Sequence, residues 1–399
     1  MLKGKTVLLG VTGGIAAYKM PNVARMLKKL QCNVHVLMTA NATNFITATT
    51  FETLTGNKCL IDTFDRNFEF SVEHVALAKQ ADLVLIAPAT ANVIGKIAGG
   101  IADDMLTTTV MACTCKRLIA PAMNHNMYLN SIVQENLEKL QRHGYEIIEP
   151  VVGMLANGDT GTGKLPSEEV LVEHVLKELA HVKDLAGMKV LVTAGPTREA
   201  VDPVRFLSNH STGKMGYALA KAAARRGAQV TLVTGPVAIQ PPMFVNLIPV
   251  VSAQEMYETV MSQASSQDII IKAAAVADYS PKTAEPEKIK KQESDSSLEL
   301  VRTPDILKAL GEEKAAGRVH AYLCGFSMET RDVLENSRAK LIKKQVDMIA
   351  ANNLRTQGAG FGTDTNVLTL ITKKEEQVLE KMDKEEAAHR ILDKILEQM

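Results

Sequence analysis

The chain has 399 residues, 45 of them basic and 45 acidic, no tryptophan, and aromatics at 4%. Its length exceeds one ordinary core and predicts two domains of near ~200 residues each. Balanced charge excludes a global pull toward nucleic acid or anionic membrane, and the few aromatics argue against stacking platforms for single strands, so a phosphate site must be local.

Residues 6–11 read as a strand, 12–14 as a turn and 15–30 as a helix; residues 33–39 are a second strand and 42–55 a helix. The apolar runs at 82–89 and 117–123 are two more strands with helical sequence between and after them. This alternation marks a parallel sheet covered on both faces, which binds ligands on the loops that follow its strands. Residues 1–10 run from strand into turn rather than as a signal peptide, and no apolar run reaches the ~18 residues of a membrane helix. The five cysteines form no paired framework, and Cys113 with Cys115 lacks the spacing and second pair of a zinc site, so a soluble protein of the reducing cytoplasm is expected.

Four loops stand at the expected positions. GVTGGIAAYK, residues 10–19, sets glycines before a helix, where the backbone can approach an anion; a plain tight turn is the alternative. His74 lies at the start of a short helix, where a surface histidine is the ordinary reading. PATANV, residues 88–93, and PAMNHNM, residues 121–127, each pair a proline with an amide, and turn or cap chemistry would account for Asn92 and Asn124.

Taken together, the four resemble the flavin-dependent cysteine decarboxylases, and most closely the decarboxylase half of the bacterial bifunctional phosphopantothenoylcysteine decarboxylase/phosphopantothenate–cysteine ligases. The resemblance implies FMN held by Gly13, Gly14, Ile15, Thr39, Pro88, Thr90 and Asn92. It implies that His74 is the base in oxidation of the substrate's cysteinyl thiol to a thioaldehyde, after which carbon dioxide leaves, and a histidine titrates in the range this needs. Asn124 would hold the substrate carboxylate and Met127 shape the pocket.

Residues 151–167, VVGMLANGDTGTGKLPS, resemble the family's substrate flap, with Asn157 where the family has a cysteine. That cysteine resembles the proton donor of the final reduction, and an asparagine cannot donate a proton in this way. Decarboxylation with slow or blocked return to the saturated thiol is therefore expected. GDTGTGK, residues 158–164, imitates a P-loop, but Leu165 stands at the magnesium-ligand position and no buried strand leads in, so a glycine-rich lid is the better reading.

Residues 167–182 predict an amphipathic helix and 183–187 a polar join, giving domains 1–182 and 183–399. The fold restarts at 190–224: a strand at 190–193, a loop, and an Ala-rich helix at 216–226. Further strands are expected at 229–234, 248–251, 268–277, 322–326 and 347–351, a terminal hairpin at 360–372 and a closing helix at 385–399. The fold class is α/β, two doubly wound, Rossmann-like parallel-sheet domains in tandem.

Chemistry again gathers on loops: TAGPTRE at 193–199, SNHSTGKMG at 208–216, KAAAVADYSP at 272–281, and a charged stretch at 282–297 containing EKIKK, which alone reads as a solvated loop. Lys340 and Lys344, four apart, share one helix face. The set resembles the ligase half of the same bifunctional family, so that the resemblance spans nearly the whole chain. It implies that CTP activates the carboxylate of 4'-phosphopantothenate as an acyl-cytidylate, from which the amine of cysteine displaces CMP. Asn209, with Gly195, would bind the activated substrate and its oxyanion, and Lys288, on a loop able to close over the nucleotide, would act catalytically by neutralising charge on the reacting phosphate; Ala275, Asp278, Lys288, Asp305, Phe326, Lys340 and Lys344 would contact CTP, with Asp278 also the candidate Mg2+ contact. Asp305 serves equally as a helix cap. The partners implied are 4'-phosphopantothenate, cysteine, CTP and 4'-phosphopantothenoylcysteine, in a homo-oligomer of decarboxylase trimers and ligase dimers. Two other classes compete. A flavin-binding module without turnover is made more plausible by Asn157, whereas an NAD-type dehydrogenase lacks GxGxxG and the acidic residue after it.

Overall fold

The computed structural model describes residues 1–64, 73–154, 158, 160–290, 297–329, 332–353 and 362–399. They form two compact units, Met1–Val182 and Lys183–Met399. Asn157, and parts of the flap, of the 282–297 stretch and of the expected 360–372 hairpin, lie outside the described residues.

In the first unit, β1 (Thr6–Val11), β2 (Asn33–Met38), β3 (Cys59–Leu60), β4 (Leu83–Ala89), β5 (Lys116–Pro121) and β6 (Tyr145–Ile147) form one sheet in the order β3-β2-β1-β4-β5-β6. Every pairing is parallel. Val7, Leu9 and Val11 enter the core on one face and Leu8 that on the other, all fully buried, which is why β1 reads as an unbroken apolar run. The expected helix at 15–30 divides into a 3-10 turn, Ile15–Lys19, and an α-helix, Met20–Lys29, because Pro21 lacks the N–H that a longer helix would require. The helix expected at 42–55 likewise becomes a 3-10 turn, Ala40–Asn44, and a helix, Ala48–Thr55. A hairpin of β7 (Val151–Met154) and β8 (Thr160–Lys164) follows, so the TGTGK of the P-loop-like stretch is a hairpin strand rather than a phosphate loop opening a helix.

The second unit contains β9 (Lys189–Ala194), β10 (Arg198–Ala200), β11 (Phe206–Ser208), β12 (Gln229–Thr234), β13 (Val245–Pro249), β14 (Ile269–Lys272), β15 (Tyr279–Pro281), β16 (Leu300–Arg302), β17 (Tyr322–Glu329), β18 (Met348–Asn353), β19 (Thr365–Asn366), β20 (Leu368–Thr372), β21 (Glu376–Val378) and β22 (Met382–Asp383). Its main sheet runs β13-β12-β9-β14-β17-β18-β20-β21. The first six strands of that order pair parallel and the last two antiparallel. Among the described residues the hairpin expected at 360–372 is not formed within those bounds: β19 pairs with β22, and β20 forms its hairpin with β21, past residue 372. The strand expected at 268–277 stops at Lys272, where the chain turns out into the site. The order reverses beside β1 in one unit and beside β9 in the other, the place where an open parallel sheet leaves a crevice at its strand ends.

Candidate active sites

In the first unit, a cavity of about 560 Å³ opens at that crevice. Gly13, Gly14, Ile15 and Tyr18 line it from the loop after β1, Thr90 from the loop after β4, Asn124 and Met127 from the loop after β5, and Met154 and Lys164 from the hairpin. Gly13 is constrained by space: a Cβ there would stand 2.5 Å from Asn41 Cβ. Thr12 ties the loops together, its fully buried hydroxyl donating to Pro88 O at 2.6 Å and accepting from Thr90 N at 3.1 Å. Thr90 caps the helix Ala91–Gly99, so Asn92 is not the cap; Asn92 is exposed and does not line the cavity.

Thr39 follows β2, with its N–H on Val11 O at 3.0 Å. Its buried hydroxyl has no hydrogen-bond partner among the described residues. Asn124 caps the turn His125–Tyr128 by accepting from Asn126 N at 2.9 Å. That bond uses only its oxygen, so among the described residues its amide donors stay available to the cavity it lines. The hairpin docks on this loop through Met123 N to Gly163 O at 3.0 Å and Thr162 N to His125 Nδ1 at 3.1 Å. Gly163 has φ +135°, and a Cβ would fall 2.3 Å from Met123 O, so only glycine fits. His74 is half-buried in the first turn of the helix Glu73–Gln80 and does not line the cavity.

In the second unit, two cavities of about 370 and 530 Å³ share Lys272, Val276, Asp278, Phe326 and Lys340 as walls. The inner one is lined by Asn209, Lys214, Ala275, Asn352 and Lys384, the outer one by Arg302, Asp305, Lys308, Lys343 and Lys344. Seven lysines and one arginine against two aspartates make this a cleft for a multiply charged anion. The loop after β14 is pinned by its neighbours: Ala274 N to Thr193 Oγ1 at 3.1 Å, Ala275 N to Gly195 O at 2.9 Å, Ala277 N to Thr197 Oγ1 at 3.0 Å, and Asn209 Nδ2 to Ala275 O at 3.0 Å. Asn209 therefore does not cap the next helix; Gly213, at φ +77°, does. Gly195 supports the loop from below with φ +73° and lines neither cavity.

Asp305 has the helix-cap role expected of it, and a contact with Lys344 besides. It caps the helix Ile306–Ala315 through Lys308 N at 3.0 Å, and it pairs with Lys344. Despite partial burial, these contacts hold its carboxyl below the usual range. Lys340 donates to Phe326 O at 3.0 Å. Lys288 is exposed and lines neither cavity. Its loop is anchored at Ile289, whose N–H reaches Asp202 Oδ2 at 3.2 Å and whose carbonyl accepts from Arg205 Nη2 at 3.1 Å. Bonds from Arg205 and from the backbone N–H groups of Val204, Ile289 and Arg205 hold the Asp202 carboxyl well below the usual carboxylate range. Among the described residues no three His, Cys, Asp or Glu side chains gather as they would around a metal ion.

Residues 1–180 match the family described as "Flavoprotein", and residues 185–399 match "DNA/pantothenate metabolism flavoprotein C-terminal domain". The chain is 47% identical over 390 residues to the coenzyme A biosynthesis bifunctional protein CoaBC of Bacillus subtilis (strain 168), covering 96% of this chain and 95% of that one. It belongs to the family of coenzyme A biosynthesis bifunctional proteins. Its member from Escherichia coli (strain K12) is 41% identical over 399 residues, covering 99% and 97%. A crystal structure of the C-terminal domain of a CoaBC protein, 42% identical, covers 54% of this chain and 98% of that chain with a TM-score of 0.46. As a member of this family the chain is a bifunctional enzyme of coenzyme A biosynthesis, a flavoprotein decarboxylase unit followed by a ligase unit.

Within this family frame, sequence reading passed over Thr12, Asp202, Arg205 and Lys272. Thr12 looked like turn filler, and Asp202 with Arg205 are short-range polar residues whose partner, Ile289, is more than eighty positions away. Lys272 did carry a signal, as the one charge in the apolar run IIIKAAAVA.

Proposed function

We propose that the second unit joins 4'-phosphopantothenate to cysteine through an acyl-cytidylate made from CTP, and that the first unit then decarboxylates the 4'-phosphopantothenoylcysteine so formed, with FMN in its cavity. The observation that carries this reading is the contrast between two sites on one fold. One crevice is a glycine-edged, largely apolar cavity, and the other is a lysine-lined double cavity.

A flavin fits the first. The closeness of Gly13 to Asn41 lets the backbone meet a phosphate where no side chain would fit, and the buried Thr39 hydroxyl lacks a partner that a ligand would supply. Gly13, Gly14, Ile15, Thr39, Pro88 and Thr90 would hold the cofactor; when bound, FMN supplies a two-electron acceptor that can also return the electrons. Asn124 offers amide donors to the substrate carboxylate, Met127 and Met154 exclude water, and the hairpin fixed by Gly163 closes that side. His74 does not line this chain's cavity, and exposed Ile15, Tyr18, Met127 and Met154 rim it. Both features favour a site completed by another copy, in keeping with a homo-oligomer of decarboxylase trimers and ligase dimers. Asn157 lacks an acid proton, so the reading includes slow final reduction.

In the ligase unit, Asn209 positions the Ala275 carbonyl and lines the inner cavity, where acyl transfer would occur. Lys340 and Lys344 neutralise a polyphosphate, and Lys288 reaches the nucleotide only if its loop moves over the cleft. Asp278, the carboxylate shared by both cavities, would meet a magnesium–nucleotide substrate; no cage for a resident magnesium forms among the described residues. No helix among the described residues is long and apolar enough to cross a membrane; the cytoplasmic setting expected from the unpaired cysteines is part of this proposal. The test supplies 4'-phosphopantothenate, cysteine and each of four nucleoside triphosphates, and follows pyrophosphate and carbon dioxide. The expected result is pyrophosphate with CTP and carbon dioxide only from the flavin-loaded, yellow protein. Pyrophosphate from ATP alone would refute CTP, and a yellow protein releasing no carbon dioxide would support a binding module instead.

A further inference from the structure

Lys272 ends β14, at the strand end where the sheet order reverses, and its side chain walls both cavities of the second unit. The carboxylate substrate and the nucleotide must touch at one atom, the α-phosphorus, and the shared wall is where two ligands in adjoining cavities meet. Among the shared residues only Lys272 and Lys340 are cationic. Lys340 already donates to Phe326 O at 3.0 Å from the neighbouring helix. Lys272 donates to Ala274 O at 3.1 Å, in the loop whose next carbonyl, Ala275 O, is held by Asn209. One bond leaves two of its three ammonium donors for a ligand.

We propose that Lys272 is a catalytic residue of carboxylate activation, its ammonium touching the α-phosphoryl oxygens at the junction of the two cavities. This rests on the ligase reading above. In the step, a carboxylate oxygen attacks the α-phosphorus, an acyl C–O–P bond forms, the Pα–O–Pβ bond breaks, and pyrophosphate leaves with the electron pair. No proton moves and nothing is oxidised. Lys272 remains an ammonium, its charge matched to the negative charge that grows on the equatorial oxygens. Burial and the nearby Lys340 lower its pKa to about 8, against Asp305 and Asp278, which raise it. A lysine in that condition is under-compensated by its own protein, as befits a cation whose counter-charge arrives with the substrate.

The test compares the full chain with Lys272→Met and Lys272→Arg in single-turnover release of pyrophosphate from CTP and 4'-phosphopantothenate without cysteine. Capture of preformed acyl-cytidylate by cysteine is measured separately. Lys272→Met is expected to slow the pyrophosphate burst by about 100-fold or more, the usual loss for one preorganised transition-state partner. The KM for CTP should stay within about threefold, which separates transition-state from ground-state binding. Lys272→Arg should recover at least roughly a tenth of the rate by restoring charge. A burst unchanged in Lys272→Met, or a KM that rises while the burst rate holds, overturns the inference. Equal loss in Lys272→Met and Lys272→Arg, with cysteine capture equally impaired, overturns it too, since that is the mark of a structural lysine. If Lys272→Met melts well below the parent chain, Lys272→Gln against Lys272→Arg makes the same comparison. An unsubstituted chain that releases no pyrophosphate from any nucleoside triphosphate overturns the ligase reading and the inference with it.

Discussion

Replacing Thr12 by valine keeps the shape of a fully buried side chain and removes one hydroxyl. Two bonds go with it, the donation to Pro88 O at 2.6 Å and the acceptance from Thr90 N at 3.1 Å. Each strands a polar backbone group away from water, at about 1–3 kcal/mol apiece, and partial relaxation of the two loops puts the sum near 3 kcal/mol. Thr90 is both a wall of the first cavity and the cap of the helix Ala91–Gly99, so the loss acts on ligand binding and on stability together. Expressed wholly as affinity it weakens FMN binding by about 100-fold, at 1.4 kcal/mol per decade. Expressed wholly as stability it lowers the melting midpoint by roughly 6–12 °C for a unit of this size. Flavin fluorescence, followed during titration and during heating, reads both, and Thr12→Ser should behave like the parent chain because it keeps the hydroxyl. If Thr12→Val binds FMN within about twofold of the parent and melts within about 2 °C of it, the two loops are not coupled through Thr12.

Asn209→Asp sets a carboxylate against the Ala275 carbonyl in place of a donor 3.0 Å away, and is expected to cut ligase turnover by about 100-fold while far-UV circular dichroism stays unchanged. Full activity in that variant would return Asn209 to a loop residue. Asp202→Asn weakens the anchor of Ile289, so the KM for CTP is expected to rise by about tenfold with decarboxylation untouched; equal loss of both activities would point to general unfolding. Mass analysis of product from 4'-phosphopantothenoylcysteine should find the oxidised enethiol with the chain as it stands and the saturated thiol with Asn157→Cys, and prompt turnover to the saturated thiol without the replacement would refute the flap reading. Cys115 is lowered to about 7 by the thiol of Cys113 beside it and, less strongly, by Arg117. Its thiolate therefore forms as pH rises through about 7, so iodoacetamide labelling should reach half its plateau rate there; a midpoint above about 8.5, that of an ordinary thiol, would refute this.

The strands were legible because both faces of each sheet are buried: β1, and β9 and β12 after their exposed first residues, are runs of apolar, small or β-branched residues, and polar insertions there would be costly. Helix starts were less legible, since Pro21 converts a first turn to 3-10 geometry without disturbing the apolar spacing that predicts a long helix. Asn209 shows what local reading misses. An asparagine ahead of a helix has cap chemistry, but its actual partner lies 66 residues along the chain, a contact that depends on β9 and β14 being neighbours in the sheet. Lys272 is the extreme case, because its interest comes from the meeting of two cavities and neither is a property of the apolar segment that carries it.

The two sites also divide in what they demand of sequence. The first is built by the absence of side chains, with Gly13 and Gly163 hemmed in by Asn41 and Met123 O, so an added methyl group there obstructs a ligand or a strand. The second is built from charge on flexible stems, where a lysine-to-arginine change away from the reacting atoms keeps the field. Gly13→Ala should therefore abolish flavin binding outright while leaving pyrophosphate release intact, and Lys344→Arg should leave both activities within about threefold of the parent, because a surplus of cations shares the polyphosphate. One fold can host both chemistries because the sheet specifies only where a crevice opens, and the loops decide whether it is shaped by backbone or by charge.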